Sequence, residues 1–141
     1  MKVLVDTSIW SLALRRRPHQ LSSDEQRLVD ELAEVVREGR ASILGVVRQE
    51  LLTGIRTEPV FERVRERVRN FQDEPLVLDD YEEAARHANT CIRVGIAGSA
   101  VDFLICAAAS RRDFEVYTTD PDFERYAKHL PVRLYHPRKR D

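Results

Sequence analysis

The chain has 141 residues, 43% of them hydrophobic and 33% charged, with only 5 glycines and 6 prolines. That is one domain's worth of sequence with enough apolar residues for a core, which excludes a fibrous or low-complexity protein. Acidic and basic residues nearly cancel, 24 against 23, so any nucleic-acid surface must be local rather than global.

Short apolar runs alternate with amphipathic stretches from end to end, the pattern of a parallel α/β sheet. Residues 2–6 are expected to form a first strand, and Ile9 to Leu12 to begin a short helix that stops before Pro18. Ser22 and Glu25 have capping-box spacing, and Leu28, Leu32, Val35 and Val36 recur at helical spacing until Gly39. Residues 41–44 read as a second strand and Val46 through Leu52 as a helix that Gly54 terminates. Pro59 opens a helix with Val60, Val64, Val68 and Phe71 on one face. Residues 75–78 read as a third strand, after which Asp79 or Asp80 caps a helix running to Gly95. Ser99 caps the most apolar helix, Val101 to Ala109. Residues 115–119 are the fourth strand, 123–128 a short helix and 132–135 the fifth strand. The expectation is one α/β domain of about five strands over 1–141, with 136–141 a disordered basic tail.

Four carboxylates on separate segments stand where strands end or helices begin: Asp6, Glu50, Asp102 and Asp120. Each has an ordinary explanation alone. Asp120 before Pro121 is a good N-cap, Asp102 three residues after Ser99 completes a capping box, Asp6 caps the next helix, and Glu50 is a solvated helix residue. Together they say more. Parallel strands joined by right-handed crossovers end at one edge, and ligands of open α/β sheets bind there, where strand order reverses. If the first and fourth strands are neighbours, Asp6 and Asp120 face each other across that crevice. Asp102 also interrupts Ala100-Val101-Phe103-Leu104-Ile105, where a buried charge needs a counter-ion. A hard divalent cation with oxygen ligands is the partner such a pocket calls for.

The strings Val3-Leu4-Val5-Asp6-Thr7-Ser8, Glu50-Leu51-Leu52-x-Gly54, Asp102-Phe103-Leu104-Ile105-Cys106 and Thr118-Thr119-Asp120-Pro121-Asp122-Phe123 together resemble a PIN domain. Length and motif order are most similar to the VapC-type ribonuclease toxins of toxin–antitoxin pairs. The resemblance implies a parallel sheet of order 3-2-1-4-5 between helices and a metal-dependent endoribonuclease. It carries metal-ligand roles onto Asp6, Glu50, Asp102 and Asp120, with Asp122 as an accessory acid and Mg²⁺ or Mn²⁺ as cofactor. It further implies an RNA substrate, a cognate antitoxin protein and a homodimer. Gly45 departs from the pattern, since the family more often carries a small hydroxyl residue there.

Thr7, Ser8 and Thr119 are candidate donors to the acids, and Arg15, Arg16 and Arg17 are candidates to grip RNA phosphates beyond the first strand. Both sets have plain alternatives, in turn chemistry and in a solvated loop. The alternating arginines from Arg63 to Arg69 read as the wet face of a helix, and Trp10 as a core aromatic rather than a base-stacking one. His87 and Cys91 lack the further ligands that a soft metal requires. A haloacid-dehalogenase-like phosphatase would need a second Asp where Ser8 stands, and a response-regulator receiver would place its paired acids directly after the first strand. The remaining rival is a non-catalytic RNA-binding or partner-binding module of the same fold, which the full set of acids disfavours. No apolar run reaches the ~20 residues that span a bilayer, and no leader pattern precedes the first strand. Two cysteines at apolar positions then point to a reducing cytoplasm.

Overall fold

Val3, Leu4 and Val5 form β1 (Val3–Val5) and are fully buried, as an unbroken apolar strand must be when helices cover both faces of its sheet. The computed structural model, which describes residues 1–139, places β1 at the centre of a parallel sheet. It pairs with β2 (Ala41–Ser42) on one side and β3 (Glu115–Tyr117) on the other, and β4 (Arg133–Leu134) lies beyond β3. The order is β2-β1-β3-β4.

A parallel bridge from Ile43 to Asp73 extends the β2 side, where Glu74 N–H donates to the Ile43 carbonyl at 2.8 Å. That bridge holds the outer place expected of the third strand, so the expected order survives with its outermost member reduced to one contact. Residues 75–78 do not form a strand. Pro75 has no N–H to give a ladder, and Leu78 already begins a helix.

Seven helices are present among the described residues: α1 (Thr7–Leu14), α2 (Ser23–Arg37), α3 (Gly45–Leu52), α4 (Glu58–Val68), α5 (Leu78–Arg93), α6 (Ala100–Arg112) and α7 (Asp122–Ala127). Ser22 and Glu25 exchange the two bonds of the expected capping box, and Gly39 leaves α2 at φ +69°, which a side chain would resist. Trp10 is buried; its ring packs on Phe71 at 4.8 Å and its indole N–H donates to the Val5 carbonyl. It is a core residue and has no face free for a base. None of these helices is long and apolar enough to cross a membrane.

The C-terminal segment differs from expectation. Buried Glu31 on α2 needs a cation, and Arg138 supplies it through its guanidinium at 2.7 Å and its backbone N–H at 2.7 Å. Arg138 also bonds Glu38. The expected disordered tail is therefore fastened as far as Arg138, and its last two residues lie outside the described residues.

The other buried acid of the helical layer is Asp80, with no solvent exposure. It accepts from Arg112 at 2.6 and 2.8 Å, from Arg111 at 2.5 Å and from the Val77 N–H that opens α5. Asp80 thus sits in the first turn of α5, not at its cap, and ties that turn to the end of α6. The Arg112 guanidinium holds its carboxyl well below the usual range, against the pull of burial. A depressed folded value means stability that is full above the ordinary carboxylate pKa and drains away as pH falls toward the folded one. Asp80→Asn should cost about 3 kcal/mol at neutral pH in urea unfolding, because it strands two arginines at a buried site. The difference between mutant and wild type should narrow as pH falls below about 4.

Candidate metal centre

Because β1 and β3 run parallel and in register, both end at the same edge, and Asp6 N–H donates to the Tyr117 carbonyl across them at 2.9 Å. Asp6 is buried at that edge. Its Oδ2 accepts the hydroxyls of Ser8 and Thr118, each at 2.8 Å. The same two hydroxyls accept backbone N–H groups from the end of β3, Ser8 from Thr119 and Thr118 from Asp120. Two hydroxyls therefore clamp the β1 acid to the loop that carries the β3 acid.

Asp120 turns back on its own chain, where its Oδ1 accepts the Asp122 N–H at 2.9 Å. Asp102 arrives from the first turn of α6. Ser99 caps that helix through the Asp102 N–H, but the Asp102 carboxylate does not reach back to complete a capping box. Its Oδ2 instead accepts the hydroxyl of Tyr126 on α7 at 2.7 Å. Carboxylate oxygens of Asp102, Asp120 and Asp122 all lie within 4.8 Å of one another. Burial, with Asp6 and Asp120 beside it, pushes the Asp102 carboxyl above its usual range, although Tyr126 and Ser99 pull the other way. Burial likewise raises Tyr126, which keeps its proton and is the donor.

Glu50 comes from α3. It is exposed and stands outside that trio, with its Oε1 accepting the Thr7 hydroxyl at 2.8 Å. A pattern emerges across all four acids. Asp6, Asp102, Asp120 and Glu50 each commit one oxygen to a protein donor, and among the described residues no hydrogen bond reaches the other oxygen. Among the described residues no Lys or Arg pairs with any of them, while neighbouring Asp122 pairs with Arg125. Carboxylate oxygens of Asp102, Asp120 and Asp122 are close enough together to serve a hard cation, whereas Asp6 and Glu50 are not part of that group. Cys106, one turn beyond Asp102, does not soften it, since burial holds the thiol protonated.

Sequence reasoning missed two of the side chains that build this site. Thr118, not its neighbour Thr119, supplies the hydroxyl, and Thr119 contributes its backbone N–H. Both residues lie just past the end of β3, where no strand alternation separates them. Tyr126 had no signal at all, because α7 is short and its approach to α6 is purely tertiary. Arg15, Arg16 and Arg17 follow the far end of α1, about 12 Å along the helix axis from Asp6, and Arg16 is paired with Glu25. The structure does not bring them to the carboxylates.

The PIN domain family model matches residues 3–129. The chain belongs to the PIN domain family. No curated protein matches it. Among solved structures it is similar to FitAcB from Neisseria gonorrhoeae, with TM-score 0.75, 21% identity and coverage of 96% of this chain and 97% of that one. It is also similar to VapBC-5 of a toxin–antitoxin system from Mycobacterium tuberculosis (TM-score 0.66, 20% identity, 96% and 99% covered). The DNA-bound VapBC from Salmonella typhimurium gives 0.71 at 17% identity, over 96% and 97%. At these identities the likeness is one of fold. The departure at Gly45 has a local cause in this PIN domain: a Cβ there would lie 3.1 Å from the Asp73 carboxylate, which Arg48 holds at 2.9 Å.

The raised Asp102 carboxyl gives a sign. A folded pKa above the unfolded one means that the charged form costs stability at neutral pH. Asp102→Asn keeps an oxygen for the Tyr126 hydroxyl and removes the charge, so its melting temperature in EDTA should equal or exceed that of the wild type. A mutant that unfolds would make Asp102 a structural cap.

Proposed function

We propose that this chain is a metal-dependent endoribonuclease that hydrolyses RNA phosphodiester bonds, and that it is the VapC-type toxin of a type II toxin–antitoxin pair. The observation that carries this reading is the clustering of Asp102, Asp120 and Asp122, with Asp6 near enough to act on the Asp102 carboxyl, and with no basic partner on Asp6, Asp102 or Asp120 among the described residues. Asp6, Asp102 and Asp120 would hold Mg²⁺ or Mn²⁺, with Asp122 beside them. When bound, such an ion activates water at neutral pH and neutralises the scissile phosphate.

The chain's own residues do the rest. Ser8 and Thr118 fix the bearing of Asp6, and the turn at Asp120 fixes that of the second strand-end acid. Glu50, exposed and among the described residues bonded only to the Thr7 hydroxyl, would orient the attacking water or hold a second ion. Among the described residues no histidine hydrogen-bonds to these acids, and His87 is buried in α5, where burial lowers its pKa. With water as the nucleophile, the RNA's own 2′-hydroxyl would be left out of the reaction. Cleavage should yield 5′-phosphate and 3′-hydroxyl ends and stop in EDTA, and Mn²⁺ should raise the melting temperature of the wild type more than that of Asp102→Asn. End-group analysis of the RNA checks this, and 2′,3′-cyclic ends formed in EDTA would sink it.

The likeness to VapBC-5 and to a toxin–antitoxin complex from Klebsiella pneumoniae supports the toxin reading. An apolar groove lined by Tyr81, Ala84, Ala88, Val101 and Leu104 lies between α5 and α6, the helix that also carries Asp102. An antitoxin segment with apolar side chains for the groove and an Arg or Lys for the acids fits that pairing of surfaces. The toxin would act as a homodimer. Expression of the chain alone should arrest growth, Asp6→Asn should abolish the arrest, and co-expression of the antitoxin should relieve it. Unimpaired growth with soluble, active protein would overturn the assignment.

A further inference from the structure

We infer that Tyr126 is a positioning residue of the metal centre: its hydroxyl locks one oxygen of Asp102 so that the other is held for the cation, and Gly98 provides the space this needs. The inference rests on the metal-centre reading above and names a residue that reading does not require. Tyr126 is fully buried, with its ring wedged against Phe103 at 5.2 Å and Phe123 at 5.3 Å. A ring held on two sides delivers its hydroxyl to one place, and that place is 2.7 Å from Asp102 Oδ2. Asp102 is the acid that most needs such a guide. Asp6 and Asp120 are oriented by hydroxyls and N–H groups from the strand ends, whereas Asp102 approaches from a different layer on α6. Gly98 makes the delivery possible. A Cβ at that position would lie 2.6 Å from the Tyr126 hydroxyl oxygen and 2.7 Å from the Phe103 ring. No left-handed backbone explains the glycine, so the constraint is the close approach itself.

The test is calorimetric titration of the full metal-free chain with Mn²⁺, which reads the site without cleavage. Loss of an outer hydrogen bond to a ligand typically weakens metal affinity about 10- to 100-fold. Tyr126→Phe should therefore stay folded, with a melting temperature in EDTA only a few degrees lower, and bind Mn²⁺ at least ten times more weakly than the wild type. Gly98→Ala, which keeps the tyrosine but displaces its hydroxyl, should show the same loss. If Tyr126→Phe fails to fold, Gly98→Ala alone decides. Affinity within twofold of the wild type in a folded variant would overturn the inference and make Tyr126 a packing residue. A wild type that takes up no Mn²⁺ would overturn the metal-centre reading and this inference with it, so the protein that fails shows which idea was wrong.

Discussion

Two parallel strands must end level before carboxylates carried on them can share a ligand, and here the β1–β3 pairing sets that level. Val3, Leu4 and Val5 pair in step with Glu115, Val116 and Tyr117, and the Asp6 N–H closes the ladder on the Tyr117 carbonyl. A slip of one residue would turn Asp6 toward the opposite face of the sheet and take Ser8 and Thr118 out of reach of its Oδ2. The full burial of β1 makes such a slip costly, because three apolar side chains would change environment together. Core packing and site geometry are thus one constraint. The hydroxyl clamp then converts strand register into the orientation of a single carboxylate.

Asp80 and Asp102 are two enclosed acids in opposite surroundings. Asp80 is wholly enclosed, yet two arginines and a backbone N–H satisfy it, and its carboxyl falls below the usual range. Asp102 is less enclosed but faces two other acids, and its carboxyl rises. Arg111 and Arg112 both pair with Asp80, and among the described residues no arginine pairs with Asp6, Asp102 or Asp120. An acidic cluster without cations is destabilising by itself, and hydroxyls and N–H groups offset only part of that cost. Such a cluster is the pattern expected where a site serves function rather than stability.

Much of this was legible in the sequence. The apolar run at β1, the capping box at Ser22 and Glu25 and the four separated acids are local signals, and parallel topology supplied the shared edge. What was not legible depended on tertiary approach. Pro75-Leu76-Val77-Leu78 has the composition of a strand, but the sheet is met at Asp73, and the first turn of α5 is claimed by Asp80 and its arginines. The tail looked like a solvated basic run because Glu31 and Glu38 lie about a hundred residues away in sequence, a pairing no window can see. Tyr126 escaped notice for the same reason. Its role is set by α6, on which it places a single hydroxyl.

The acids also differ in how firmly the fold holds them. Asp6, Asp102 and Asp120 are set by strand ends, a buried ring and a tight turn, while Glu50 is exposed with one hydroxyl partner. Its position depends on α3, and α3 is itself bolted down. Arg48 reaches the Val68 and Phe71 carbonyls at the end of α4 and the Asp73 carboxylate beyond. The helix is fixed and the side chain it carries is not. That division would suit the proposed function: firmly held acids to hold a cation, and an exposed one free to adjust to the substrate.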